Sequence, residues 1–121
     1  EEPEWLREQL GSNGGGAQVI SEAASQSCQL AADALDLFVS LYGAEAGNLA
    51  LKFLATAGVF IGGGIAPKIA DKLADGSFMA AFAEKGRVSD ILHRIPVHII
   101  RNDHTAMLGA AYYGAQQAEH L

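Results

Sequence analysis

The sequence contains a single cysteine, Cys28. With no second thiol, an internal disulfide and a thiolate-built metal site are both excluded, and a reducing compartment fits better than a secreted scaffold. Cys28 reads as a structural residue. Basic side chains are also scarce: eight Lys plus Arg stand against fourteen Asp plus Glu, for a formal charge of -6. A broad nucleic-acid surface needs a concentrated basic footprint, so nucleic acid is not expected as a partner. Long apolar runs are missing too, because glycine, lysine or acidic residues interrupt each one well before membrane-spanning length. The acidic amino end, "EEPEWLREQL", is unlike a basic secretory leader. These absences predict a soluble cytoplasmic protein with no membrane partner.

Several catalytic signatures are absent as well. There is no His-Glu-x-x-His motif, no Gly-Lys-Ser/Thr ending behind a glycine loop, and no nucleophile elbow at Ser40 or Ser77. His93, His98, His104 and His120 are scattered, so solvation or ordinary hydrogen bonding is the expected use of each. Asp71 and Asp75 lie four apart, which suits a solvated helix face better than a catalytic carboxylate pair. Lys68 and Lys72 share the same spacing and fit either anion binding or pairing with those acids.

What is present is a chain of 121 residues, 50% of them hydrophobic, enough for the core of one domain. Pro3 suits the first turn of a short helix, with acids at its positive end and Trp5 and Leu6 as its apolar side. "GSNGGGAQ", residues 11–18, ends that helix as a glycine-rich connector. From Ser21 a helical face follows through Ala24, Cys28, Ala31, Leu35, Phe38, Val39 and Tyr42, with Ser21 or Ser25 available as a cap. Gly43 and Gly47 weaken the next segment, "AEAGNLALKFLA", which reads as a second helix or a bent continuation.

"GVFI", residues 58–61, is β-prone; three glycines follow, and "APKIADKLA" begins a helix with Pro67 in its first turn. "GSFMAAFAEKG" predicts a short helix with Ser77 as cap and Phe78 and Phe82 as core anchors. "IPVHIIR", residues 95–101, is a second β-prone run. Asn102 or Asp103 then caps a helix from Thr105 whose small residues permit close packing beside Met107, Leu108 and Tyr112.

Gly62, Gly63 and Gly64 are the strongest binding candidates from this reading. Glycine lets a ligand approach the backbone without a side-chain clash, and a following helix amino end favours a phosphate. The residues alone leave a nucleotide cradle and a structural turn both open, because neither a dinucleotide fingerprint nor a Walker lysine is present.

Five segments occur in order: "AGNLALKF", "GVFIGGGIAPKI", "FMAAFAEKGR", "IPVHII" and "TAMLGAAYYG". Across residues 21–115 they resemble bacterial glucokinase, an ATP-dependent sugar kinase of the actin-like ATPase (ribonuclease H-like) fold. The resemblance implies an α/β fold class, with residues 21–121 a helix-rich partial carboxyl-terminal domain behind an amino-terminal helix and connector at 1–20. It makes Gly62, Gly63 and Gly64 part of the adenosine motif, and ATP with Mg2+ the cofactors of an intact parent phosphorylating glucose. "AMLGAA", residues 106–111, resembles a connecting motif near the interdomain hinge, where Ala106, Gly109 and Ala110 would allow close packing during closure.

The same resemblance implies an amino-terminal domain carrying the phosphate loops, the sugar-binding residues and the catalytic Asn-Asp segment, all preceding this portion. It also implies a homodimer. "NDHTA", residues 102–106, mimics the catalytic segment, but the following "MLGAAYYG" puts Asp103 at the start of the terminal helix, in a capping or local role. No catalytic residue and no metal ligand are therefore expected here, and the 121 residues alone are expected to lack turnover. An interaction or regulatory domain on the same fold, and a kinase for another sugar, are the competing expectations.

Overall fold

The computed structural model describes residues 2–12, 16–26 and 28–118. Three helices come first: α1 (Glu4–Ser12), α2 (Gly16–Ser25) and α3 (Gln29–Lys52). Strand β1 (Val59–Ile61) follows, then the short helices α4 (Ala70–Leu73) and α5 (Ser77–Ala83). A 3-10 turn (Gly86–Val88) and α6 (Ser89–Leu92) lead to β2 (Val97–Ile99) and the terminal helix α7 (Thr105–Ala118). Both β-prone runs form strands, and the predicted order of elements is observed, with α6 added. No helix among the described residues is long and apolar enough to cross a membrane.

Two predicted boundaries are corrected. The helical face expected to run unbroken from Ser21 is split, with α2 ending at Ser25 and Cys28, buried, standing in extended backbone as the residue before α3. Neither serine caps α3: Ser25 Oγ donates instead to the Ser21 carbonyl inside α2, at 3.1 Å. Part of the glycine-rich connector is also helical, since Gly11 closes into α1 and Gly16 opens α2, which crosses residue 20 unbroken. Its residues 13–15 lie outside the described residues.

The next segment is neither a second helix nor a visibly broken one. α3 runs through Gly43 and Gly47 because those glycines are where α5 crosses it. A Cβ at Gly43 would stand 3.1 Å from the Phe78 carbonyl carbon, and one at Gly47 3.1 Å from that of Phe82. Absent side chains on α3 thus let the α5 backbone settle onto it, and the rings of Phe78 and Phe82 enter the core between them. Both rings are fully buried, each worth about 1.5–3 kcal/mol by area. Tyr42 meets Phe78 edge-on at 5.8 Å between ring centres.

Val39, Leu73, Leu92 and Ile61 complete this main core, while Leu6, Val19, Ala23, Cys28 and Ala31 form a second cluster joining α1 and α2 to the start of α3. α3 ends in a Schellman arrangement, with the Leu54 amide donating to Leu51 O at 3.2 Å and the Ala55 amide to Ala50 O at 2.9 Å. The left-handed position in that turn is filled by Leu54, at φ 47°.

α5 is not capped by its own Ser77. Asp75 Oδ1 accepts from the Ser77 amide at 2.8 Å and from its hydroxyl at 2.6 Å, across Gly76, whose φ of 101° makes the turn. The Lys72 ammonium bridges Asp36 on α3 and Asp75, the latter at 2.7 Å. The hydrogen bond to Asp36, then that to Asp75, raises the Lys72 pKa. The Lys72 and Ser77 hydrogen bonds push the Asp75 carboxyl down to about 2.

α7 stands apart from both cores. All its described residues are exposed, Met107, Leu108, Tyr112 and Tyr113 among them, and nothing lies within 4 Å of a Cβ built at Gly109 or Gly114. The close packing predicted from its small residues is not made among the described residues.

Candidate nucleotide site

β1 and β2 pair in parallel, with Val59 opposite Val97 and Ile61 opposite Ile99. Parallel pairing sends both strands out at the same end, so Gly62–Gly64 after β1 and Asn102–Asp103 after β2 face each other across one crevice. The Ile100 amide donates to Ile61 O at 2.9 Å and closes the ladder at this edge. A crevice beyond the carboxyl ends of parallel strands is the usual ligand position in open α/β sheets. Here it has a volume of about 610 Å3 and is walled by the three glycines, Pro67, Lys68 and the turn leading into α7.

The three glycines are not equivalent. Gly63 has a φ of 103°, which a side chain tolerates poorly, so its identity is required by the turn itself. A Cβ at Gly64 would meet nothing within 4 Å, and one at Gly62 only the tip of Ile100, at 3.4 Å. The turn therefore needs one glycine while three are present. Among the described residues, none accepts a hydrogen bond from the amides of Gly63 or Gly64.

The helix expected to begin at Pro67 is corrected. Lys68 and Ile69 amides both donate to Ile65 O, at 3.0 and 3.2 Å, in turns that precede a helix limited to Ala70–Leu73. A single short turn of helix, set off from the glycines by five residues of turn, has little macrodipole to offer an anion. The cation at this crevice is instead a side chain, Lys68.

Lys68 and Lys72, alike in spacing, are used differently. Lys72 is held by two carboxylates, whereas Lys68 Nζ donates to Gln18 Oε1 on α2 at 3.1 Å. Gln18 Nε2 in turn donates to Glu22 Oε1 at 2.8 Å. A second hollow, of about 650 Å3, lies between this face of α2 and the turn Gly64–Ile69. Sequence reasoning had no signal for Gln18, which is fifty residues from its partner.

At the far wall, Asn102 rather than Asp103 organises the turn. Asn102 Oδ1 accepts from the His104 amide at 2.9 Å, and its carbonyl accepts from Thr105 Oγ1 at 2.7 Å. Asp103 borders the crevice in this turn, just before α7. His98 stacks on Phe60, at 5.0 Å between ring centres, on the open face of the sheet; His120 lies outside the described residues. Among the described residues no three His, Cys, Asp or Glu side chains gather into a metal site.

The family model described as Glucokinase matches residues 5–117. A glucokinase of Synechocystis sp. is 46% identical over 101 residues, covering 83% of this chain and 28% of that protein. A glucokinase of Nostoc sp. is 46% identical over 101 residues, covering 84% of this chain and 30% of its own length. One of Caulobacter sp. reaches 51% identity over 77 residues, covering 64% of this chain and 23% of that protein. The chain thus spans less than a third of the length of the curated relatives it matches. With the family model matching almost end to end and the glycine turn set beside a parallel strand pair, the chain belongs to the glucokinase family.

Proposed function

We propose that this chain supplies the adenosine-side wall and the hinge helix of an ATP-dependent glucokinase, with glucose as the phosphoryl acceptor. The observation that carries the nucleotide reading is the surplus of glycine at the crevice: Gly63 answers to backbone geometry, while Gly62 and Gly64 leave open space beside two strand ends. That space suits close approach of a nucleotide to the backbone, and Lys68 adds a charge complementary to phosphate. ATP fits these residues. Magnesium would arrive on the nucleotide's phosphates, since the described residues gather no metal cluster of their own.

The remainder of the reading concerns the rest of a longer protein. The sheet has one face on the core and one bearing Phe60 at 67% exposure, whereas parallel strands are ordinarily covered on both faces. α7 presents Met107, Leu108, Tyr112 and Tyr113 to solvent. Both surfaces suit an actin-like ATPase fold completed by an amino-terminal domain, with Ala106, Gly109 and Ala110 at the hinge and a second protomer as a further partner. A cytoplasmic location accords with the lone, unbridged Cys28.

In the proposed reaction the acceptor hydroxyl of glucose loses its proton to a carboxylate carried elsewhere in the longer protein, while this chain holds the nucleotide in line. The 121-residue chain by itself binds ATP and forms no glucose 6-phosphate. Gly64→Val separates a cradle from a plain turn, because nothing lies within 4 Å of a Cβ at Gly64 and its backbone is outside the left-handed region. Calorimetric titration should show ATP affinity falling by about tenfold or more, about 1.4 kcal/mol, with the melting temperature unchanged. Unaltered ATP affinity in Gly64→Val would reduce the glycines to a structural turn.

A further inference from the structure

Among the described residues Lys68 is the only lysine or arginine lining either hollow beside the glycine turn, and it lines both. Its contact with Gln18 ties α2 to the crevice wall through a full charge. The chain of bonds has a direction. The Glu22 carboxylate can only accept, so it takes the Gln18 amide hydrogen and turns the amide oxygen toward the Lys68 ammonium. The lysine is parked on a neutral oxygen, although a carboxylate lies one residue further along the relay.

We propose that Lys68 is the phosphate-positioning residue of this site, and that the Gln18–Glu22 pair on α2 is a latch that holds it until nucleotide enters. The proposal rests on the nucleotide reading of the same crevice and adds to it a named cation and an exchange. An ammonium on a phosphate oxygen pairs two opposite full charges, whereas the Gln18 amide offers it only a neutral acceptor, so phosphate displaces the amide. Lys68 is exposed and its stem is flexible, so the exchange needs side-chain rotation alone. The short α4 makes this cation necessary, because the helix terminus that would otherwise attract phosphate is nearly absent.

The test compares ATP with adenosine, which shares the base and sugar and lacks phosphate. Titrations on the 121-residue chain use wild type, Lys68→Met, Lys68→Arg and Gln18→Leu, with thermal melting as the fold control. Lys68→Met should weaken ATP binding about tenfold or more and leave adenosine within about twofold, and Lys68→Arg should restore most of the loss. Gln18→Leu should leave adenosine unchanged and tighten ATP by about two- to fivefold, since the lysine no longer has to be drawn off its amide. Equal losses for both ligands in Lys68→Met, or no loss for either, would overturn the phosphate role. Weaker ATP binding in Gln18→Leu would overturn the latch. If wild type bound neither ligand, the nucleotide reading itself would fall, an outcome distinct from these.

Discussion

The helix crossing at Gly47 yields the sharpest stability prediction. Gly47→Ala puts a methyl 3.1 Å from the Phe82 carbonyl carbon and 3.2 Å from Lys85 Cε, with the Phe82 carbonyl oxygen closer still. The lysine tip can swing away. The carbonyl belongs to the α5 backbone, and restoring normal contact requires α5 to withdraw by roughly 1 Å, an overpacking cost of about 1–3 kcal/mol. Backbone-to-backbone contact places this change at the upper end, because Phe78 and Phe82 must leave their full burial with α5. Against this stands a gain of about 1 kcal/mol from replacing glycine by alanine inside a helix. The net expectation is a loss of about 2 kcal/mol, or about 6–10 °C in melting temperature. Urea and thermal unfolding followed by far-ultraviolet circular dichroism measure it. Gly109→Ala in α7, with nothing within 4 Å, is the matched control and should raise helicity without loss. The pair Gly43→Ala and Gly47→Ala should cost less together than the sum of the singles, since one withdrawal of α5 accommodates both. A Gly47→Ala protein as stable as wild type would refute the close-crossing argument.

Two further outcomes follow from local geometry. Leu54→Gly should stabilise the protein by about 0.5–1 kcal/mol in equilibrium unfolding, because Leu54 is left-handed and 70% exposed, so backbone strain is relieved with little burial lost; a destabilised variant would contradict this. The Asp75 carboxyl should titrate near 2 rather than 3.8 by nuclear magnetic resonance, and Lys72→Met should move its midpoint up. The folded state favours the carboxylate, so the associated stabilisation is complete above about pH 3.8 and disappears as pH falls through about 2. An unmoved midpoint in Lys72→Met would assign the shift to Ser77 instead.

Much of the architecture was legible locally. The β-prone runs and the aromatic pair Phe78 and Phe82 carry their own local signal and formed where expected, whereas the helical face read from Ser21 is interrupted at Cys28. The failures share a cause. Gly43 and Gly47 read as helix weakeners because propensity counts only the helix they occupy, whereas their use depends on a backbone thirty-five residues further on. Pro67 was placed in a helix by its fixed φ, but the bonds to Ile65 O held that stretch in turns. Lys68 and Lys72 share one spacing, and only their neighbours on α2 and α3 separate an amide-held cation from a carboxylate-held one.

Sequence by itself determined the family, the two strands and the glycine turn, because all three reside in the order and type of neighbouring residues. The tertiary structure decided that β1 and β2 run in parallel, and so bring the turns after them to one crevice. It also decided which glycine is demanded by backbone geometry, which two leave room, and which lysine faces that room. Strand pairing and helix crossing are contacts between residues far apart in the chain, and local periodicity does not encode who meets whom.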